Sequence, residues 1–152
     1  GWHNSGEWHS AGGLKFGSVE LAEARFPLHF DKHEFRRDSA GDGQFRGGAG
    51  VDLELTVETE KPALANTAGD GIKYGSRGMV GGEDSKPHAY SLLKLDGTER
   101  KLKTKEISVD VDPGDKFIIR SAGGGGWGNP ANRSSEARAL DYKNEITSED
   151  RA

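Results

Sequence analysis

Val51-Asp52-Leu53-Glu54-Leu55-Thr56-Val57-Glu58-Thr59 alternates apolar and polar residues without a fault. Val51, Leu53, Leu55 and Val57 share one face of an extended chain, and Asp52, Glu54, Thr56 and Glu58 share the other, as the two-residue period of a strand requires. The pattern predicts a half-buried antiparallel strand, closed by Lys61-Pro62. Upstream, the run from Leu28 to Arg36 is also β-like, but its alternation slips between Phe30 and Phe35, which predicts a bulge. Downstream, Asp96-Gly97 between Leu92-Leu93-Lys94-Leu95 and Thr98–Leu102 predicts a hairpin within Tyr90–Leu102 with positive φ at both central turn residues. Ile107, Val109 and Val111 mark another strand, and Asp112-Pro113-Gly114-Asp115 turns the chain into Lys116-Phe117-Ile118-Ile119-Arg120.

Helical patterns occur only at the flanks. Ser18 is positioned to cap Val19–Arg25, which Phe26-Pro27 ends. Ser134 or Ser135 caps a second helix through about Lys143, with Glu136 near its positive end. Residues 63–89 carry six glycines and few apolar residues and read as loop-rich. Gly1 to Gly17, rich in Gly, Ser, Trp and His, reads as an irregular arm. Strands joined by turns predict a mainly β chain: an antiparallel sandwich or small barrel with short flanking helices, forming one β-rich domain over residues 18–152.

The 152 residues include 23 glycines and only 32% hydrophobic residues, so the predicted core is thin and a partner surface is expected to complete it. A net charge of −4 and the absence of a long Lys/Arg block argue against a nucleic-acid binder driven by phosphate neutralisation. With no cysteine, disulfides and thiolate metal sites are excluded. No apolar run approaches a membrane span, and no signal-peptide pattern is present. The chain starts at Gly1 and stops just after Thr147-Ser148-Glu149-Asp150; both ends read as cut, as in a segment or processed subunit.

Two glycine-dense stretches, Asp38–Gly50 and Ser121–Pro130, hold the candidate chemistry. Gly123-x-Gly125-x-x-Gly128 matches a dinucleotide-binding pattern. However, hairpin-linked strands precede it, and Asn129-Pro130 interrupts the turn before a helix can start; a packing turn is the competing reading. Gly41-x-Gly43-x-x-Arg46-Gly47-Gly48 lacks the Gly-Lys-Ser/Thr ending of a P-loop. Arg46 is suited to hold a carboxylate by two parallel hydrogen bonds, with Asp38 and Asp42 as internal alternatives to a ligand. His3, Glu7 and His9, or His29 and His33, are loosely spaced for a metal but lack an evident third ligand. Trp2, Trp8 and Trp127 offer aromatic faces for sugar stacking or for packing.

In order, Phe26-Pro27-Leu28, Asp38–Gly50, Gly81-Gly82, Asp96-Gly97, Gly114-Asp115, Gly123–Pro130 and Arg133–Asp141 resemble the signatures of the C-terminal β-rich region of hydantoinase B-type proteins. This family includes 5-oxoprolinases and the acetone and acetophenone carboxylases. The resemblance covers about residues 18–152, with departures at Ala40, Trp127 and Asn129, where glycine, Tyr or Phe, and aspartate are usual. It implies a structural or assembly module, or a small subunit, of an ATP-dependent, cytoplasmic, hetero-oligomeric hydrolase or carboxylase with hydantoinase A-type and B-type catalytic partners. ATP and a divalent metal are expected in those partner chains, since the family's metal-binding His and Asp residues lie in the large N-terminal part of the B-type chain. No catalytic or metal residue is therefore carried over, and neither nucleic acid nor a membrane is expected as a partner. Asp38, Arg46, Gly125, Trp127, Asn129 and Arg133 stand as candidate ligand or interface contacts. A free-standing β-sandwich module binding carbohydrate or protein is the alternative.

Overall fold

The computed structural model describes residues 18–151; the arm carrying Trp2, His3, Glu7, Trp8 and His9 lies outside the described residues. Helix α1, Val19–Arg25, starts where the Ser18 hydroxyl accepts the Leu21 N–H at 3.3 Å and ends at an extended Phe26. Seven strands come next: β1 Leu28–Arg36, β2 Gly50–Val57, β3 Ala63–Ala68, β4 Ala89–Leu93, β5 Glu99–Leu102, β6 Lys105–Val111 and β7 Lys116–Arg120. Helix α2, Ser135–Lys143, is capped by Ser134, whose hydroxyl accepts the Ala137 N–H.

All strand pairs are antiparallel, in a five-stranded sheet of order β1-β2-β7-β4-β5 and a two-stranded sheet β3-β6. Val57, Leu92 and Leu102 of the larger sheet meet Val109 and Val111 of the smaller one, with Leu28, Ala65, Tyr90 and Phe117 packed around them. The two sheets thus form a sandwich, and the larger ends in edges at β1 and β5 instead of closing into a barrel. Each fully buried Val or Leu contributes about 2 kcal/mol relative to exposure, and this cluster has only five. The thin core expected from the composition is what forms.

The predicted slip in β1 is a register shift between Phe30 and Lys32. It also separates His29 from His33: they pair with Thr56 and Leu53, which lie on opposite faces of β2. Within the loop-rich residues 63–89, Ala63–Ala68 forms a strand that the sequence pattern does not mark, β3 against β6. Its inward positions are Ala63, Ala65 and Thr67, whose small side chains give too little hydropathy contrast to register as alternation. The hairpin turn has positive φ only at Gly97 (85°), and not at Asp96. Gly97 N–H donates to Lys94 O and Lys94 N–H to Thr98 O, both at 2.9 Å, while Asp96 accepts the Thr98 N–H. A three-residue loop with glycine in the left-handed position results.

Strand register places the functional end. Arg36 opposes Gly50, Arg120 opposes Asp52, and Ala89 opposes Arg120. The loop leaving β1, the loop entering β4 and the loop leaving β7 therefore emerge together at one end of the larger sheet.

Candidate functional site

Three loops, residues 38–50, 75–86 and 121–130, pack backbone to backbone. Gly41 N–H donates to Gly124 O, Gly124 N–H to Gly48 O, Gly126 N–H to Glu83 O and Glu83 N–H to Asp42 O, at 2.7–2.9 Å. Phe45 and Trp127 exchange N–H···O bonds in both directions at 3.0 and 2.9 Å, and Met79 N–H donates to Gly126 O at 2.9 Å. The third stretch thus runs between the other two. Such contact leaves no room for side chains: a Cβ on Gly125 would lie 2.0 Å from Arg77 O, and one on Gly126 1.9 Å from Asp42 O. Close approach is what these glycines supply.

The same bonds bear on the nucleotide reading. A phosphate cradle needs backbone N–H groups pointing at the ligand. Gly124, Gly126, Trp127 and Gly128 instead donate to Gly48, Glu83, Phe45 and Met79. Behind them stands a single 3-10 turn, Pro130–Asn132, in place of a helix. In the Arg46 loop Gly41, Gln44, Phe45 and Gly47 likewise donate to loop carbonyls.

The side chains at the site form two ionic clasps. Buried Arg46 meets the two carboxylate oxygens of Asp141 through Nε and Nη2, each at 3.0 Å. Its Nη1 donates to Gly47 O. Arg133 donates to the same carboxylate at 2.5 Å and to Gln44 O at 3.4 Å. Burial alone would raise the Asp141 pKa, but the hydrogen bond and charge of Arg46, with the charge of Arg133, outweigh it and hold the group below the usual carboxylate range. In the second clasp Arg151 pairs with Asp42 at 2.6 Å and with Asp38 at 3.6 Å. Asp38, in the left-handed region at φ 56°, also accepts the Ser148 N–H at 2.9 Å. Neither Asp38 nor Asp42 serves Arg46. Both clasps fasten the C-terminal segment, from Arg133 through α2 to Arg151, onto the first glycine loop.

Among the sequence candidates, the structure brings Arg46 and Arg133 together on one carboxylate and sets Asp38 in the neighbouring clasp. Gly125 lies against Arg77, and Asn129 caps the 3-10 turn by accepting the Ala131 N–H at 2.9 Å. Trp127 is half exposed, its ring 5.7 Å from that of Phe45 at 44°. Asp141 and Arg151 completed the clasps without being singled out as contacts: they lie 95 and 109 positions from their partners Arg46 and Asp42, beyond any local pattern. His29 Nδ1 meets Glu23 at 3.1 Å. No grouping of three or more His, Asp or Glu suited to a metal ion is found among the described residues, and no helix among them is long and apolar enough to cross a membrane.

Several of the loop donors are satisfied within the chain, and the loop surface carries exposed apolar side chains. Known proteins agree on the lineage of the chain. The chain is 31% identical to the β subunit of caprolactamase from Pseudomonas jessenii over 157 residues, covering all of this chain and 26% of that one. The crystal structure of the ATP-dependent caprolactamase from the same organism superposes with a TM-score of 0.78 at 28% identity, over 91% of this chain and 24% of that one. A nucleotide-free acetone carboxylase superposes with a TM-score of 0.73 at 19% identity, over 91% and 22% of the two chains; at that identity the likeness is one of fold. The chain spans about a quarter of the length of these relatives. The sequence profile of Hydantoinase B/oxoprolinase matches residues 1–130, and this protein belongs to that family.

Proposed function

We infer that the chain is the β-rich structural module of an ATP-dependent enzyme complex in which hydantoinase A-type and B-type chains act together in the cytoplasm, opening a cyclic amide by hydrolysis. The observation that carries this reading is how far the glycine loops are committed within the chain: the amides of Gly41, Gly47, Gly124, Gly126, Trp127 and Gly128 and the carboxylate between Arg46 and Arg133 are taken up internally. The module therefore supplies shape and attachment, while ATP, a divalent metal and the reacting groups belong to the larger chains. Hydrolysis is favoured over ketone carboxylation because sequence identity is higher to caprolactamase than to acetone carboxylase. Residues 18–152 act as one β-rich unit within that assembly.

Native mass spectrometry of the protein purified from its source tests the reading. An assembly containing larger chains with ATP-dependent lactam hydrolysis is the expected result. A stable lone species with no larger polypeptide attached would overturn it.

A further inference from the structure

Four large apolar side chains stand open on the glycine loops: Phe45, Met79, Val80 and Trp127 are 56, 61, 69 and 48% exposed. Three of them are contiguous. Phe45 and Met79 each form a backbone bridge with Trp127, and bridged residues project to the same face, so the three side chains form a row across the three loops. Val80 follows Met79 in the chain, in a tight turn closed by the Gly82 N–H donating to Met79 O at 3.0 Å. Val80 has φ 54° and Gly81 φ 87°. A β-branched residue in the left-handed region is an outlier, and burial within this chain does not reward it. Strain of this kind persists where a function retains it. Contiguous exposed apolar patches mark interaction sites, and Trp, Phe and Met are the side chains enriched in interface cores.

Length points to the occupant. None of the four residues lines the clefts at Asp70–Lys105, at Lys32–Glu145 or between the sheets, so the row is an exposed surface outside those clefts. The apolar groove between the sheets, 340 Å³ beside Leu55, Val111 and Phe117, is a different surface from the row, so seating a second copy there would be a heterologous contact that has to close into a ring or else builds fibres. The relatives instead carry about three-quarters of their length beyond the part matched by this chain. We propose that Phe45, Met79 and Trp127, with Val80 next to Met79 in the chain, form the surface that seats this module on the larger remaining part of the hydantoinase B-type subunit. This rests on the structural-module reading above.

Hydroxyl-radical footprinting of the native assembly, with native mass spectrometry on the same sample, tests it. After correction for intrinsic reactivity, Phe45, Met79 and Trp127 are expected to oxidise at least about tenfold more slowly than Tyr74 and Ile107, as desolvated interface anchors do. Val80→Asp, which suits a left-handed backbone better than valine does, is expected to abolish that protection at Met79 while leaving the fold intact. Oxidation of the row as fast as Tyr74, in an assembly that does contain the larger chains, overturns the docking surface and leaves the module reading standing. Protection accompanied by cross-links from Lys86 only to a second copy of this chain overturns the occupant. Absence of larger chains overturns both.

Discussion

Asp141→Asn tests the clasp with little change in side-chain volume. Asp141 and Arg46 have side chains only 11 and 8% exposed, and the carboxylate takes both Arg46 bonds and the Arg133 bond. An asparagine retains one acceptor but turns an N–H₂ toward donors and leaves buried Arg46 without a counter-charge. Removing one partner of a buried ion pair costs about 3–5 kcal/mol, a large part of the ~5–15 kcal/mol total stability of a domain. The cost is read locally by hydrogen exchange. At about 1.4 kcal/mol per factor of ten, peptides covering residues 44–50 and 135–146 are expected to exchange roughly 10²- to 10³-fold faster. Arg46→Met, Asp141→Leu and Arg133→Met together are expected to recover much of the loss, since a buried ionic cluster replaced whole by apolar groups is often near neutral. A change below about threefold in Asp141→Asn would refute the reasoning, showing a clasp that water already screens. The pH sign is fixed by the same contacts. The folded pKa of Asp141 is depressed, so its stabilisation is present above the unfolded value of about 3.9 and is lost as pH falls through the folded one. The difference between wild type and Asp141→Asn therefore shrinks below about pH 4.

Two glycine substitutions separate close approach from backbone conformation. Gly125→Ala meets Arg77 O at 2.0 Å and is expected to cost over about 3 kcal/mol, through overpacking and broken interloop bonds; ATP affinity of the assembly should not change at surviving occupancy. Gly97→Ala, at φ 85° with nothing near its Cβ position, should cost only about 1–2 kcal/mol, and equal costs in hydrogen exchange would undo the distinction. Asp115 is 1% exposed and accepts Lys94 Nζ at 2.7 Å, Asp112 N–H at 2.8 Å and Leu95 N–H at 3.3 Å. Asp115→Ala is expected to cost about 3 kcal/mol and to loosen the 94–97 and 112–115 turns together; exchange confined to one turn would contradict the link.

The strands that the sequence reveals are those with chemical contrast. Val51–Val57 alternates bulky apolar with charged residues and forms as β2, and the slip after Phe30 forms as a bulge. Ala63–Ala68 escapes because alanine on the inward face and alanine on the outward face look alike; only the pairing partner β6 gives it a side. The site divides similarly. That Arg46 needs a carboxylate is legible from a guanidinium set among glycines. Which carboxylate it finds is not, because the choice depends on α2 folding back across 95 positions, while the nearer Asp38 and Asp42 are taken by Arg151. The apolar row is hidden for the same reason, as Phe45, Met79 and Trp127 become neighbours only through the sheet register that gathers their loops.

The glycine fingerprint at Gly123–Gly128 shows where such a motif stops being informative. Glycine spacing tells that backbone comes close to something; it does not tell what. In a phosphate loop the freed space and the unpaired N–H groups serve the ligand. Here the space is filled by Arg77 O and Asp42 O, and the N–H groups end on Gly48, Glu83, Phe45 and Met79. On this loop the four amides of Gly124, Gly126, Trp127 and Gly128 are committed to protein. A ligand would have to break those bonds to bind, at a net cost of about 1 kcal/mol each and more for any carbonyl left buried and unpaired. A partner surface has no such cost, because it takes the apolar side chains that the committed backbone holds outward.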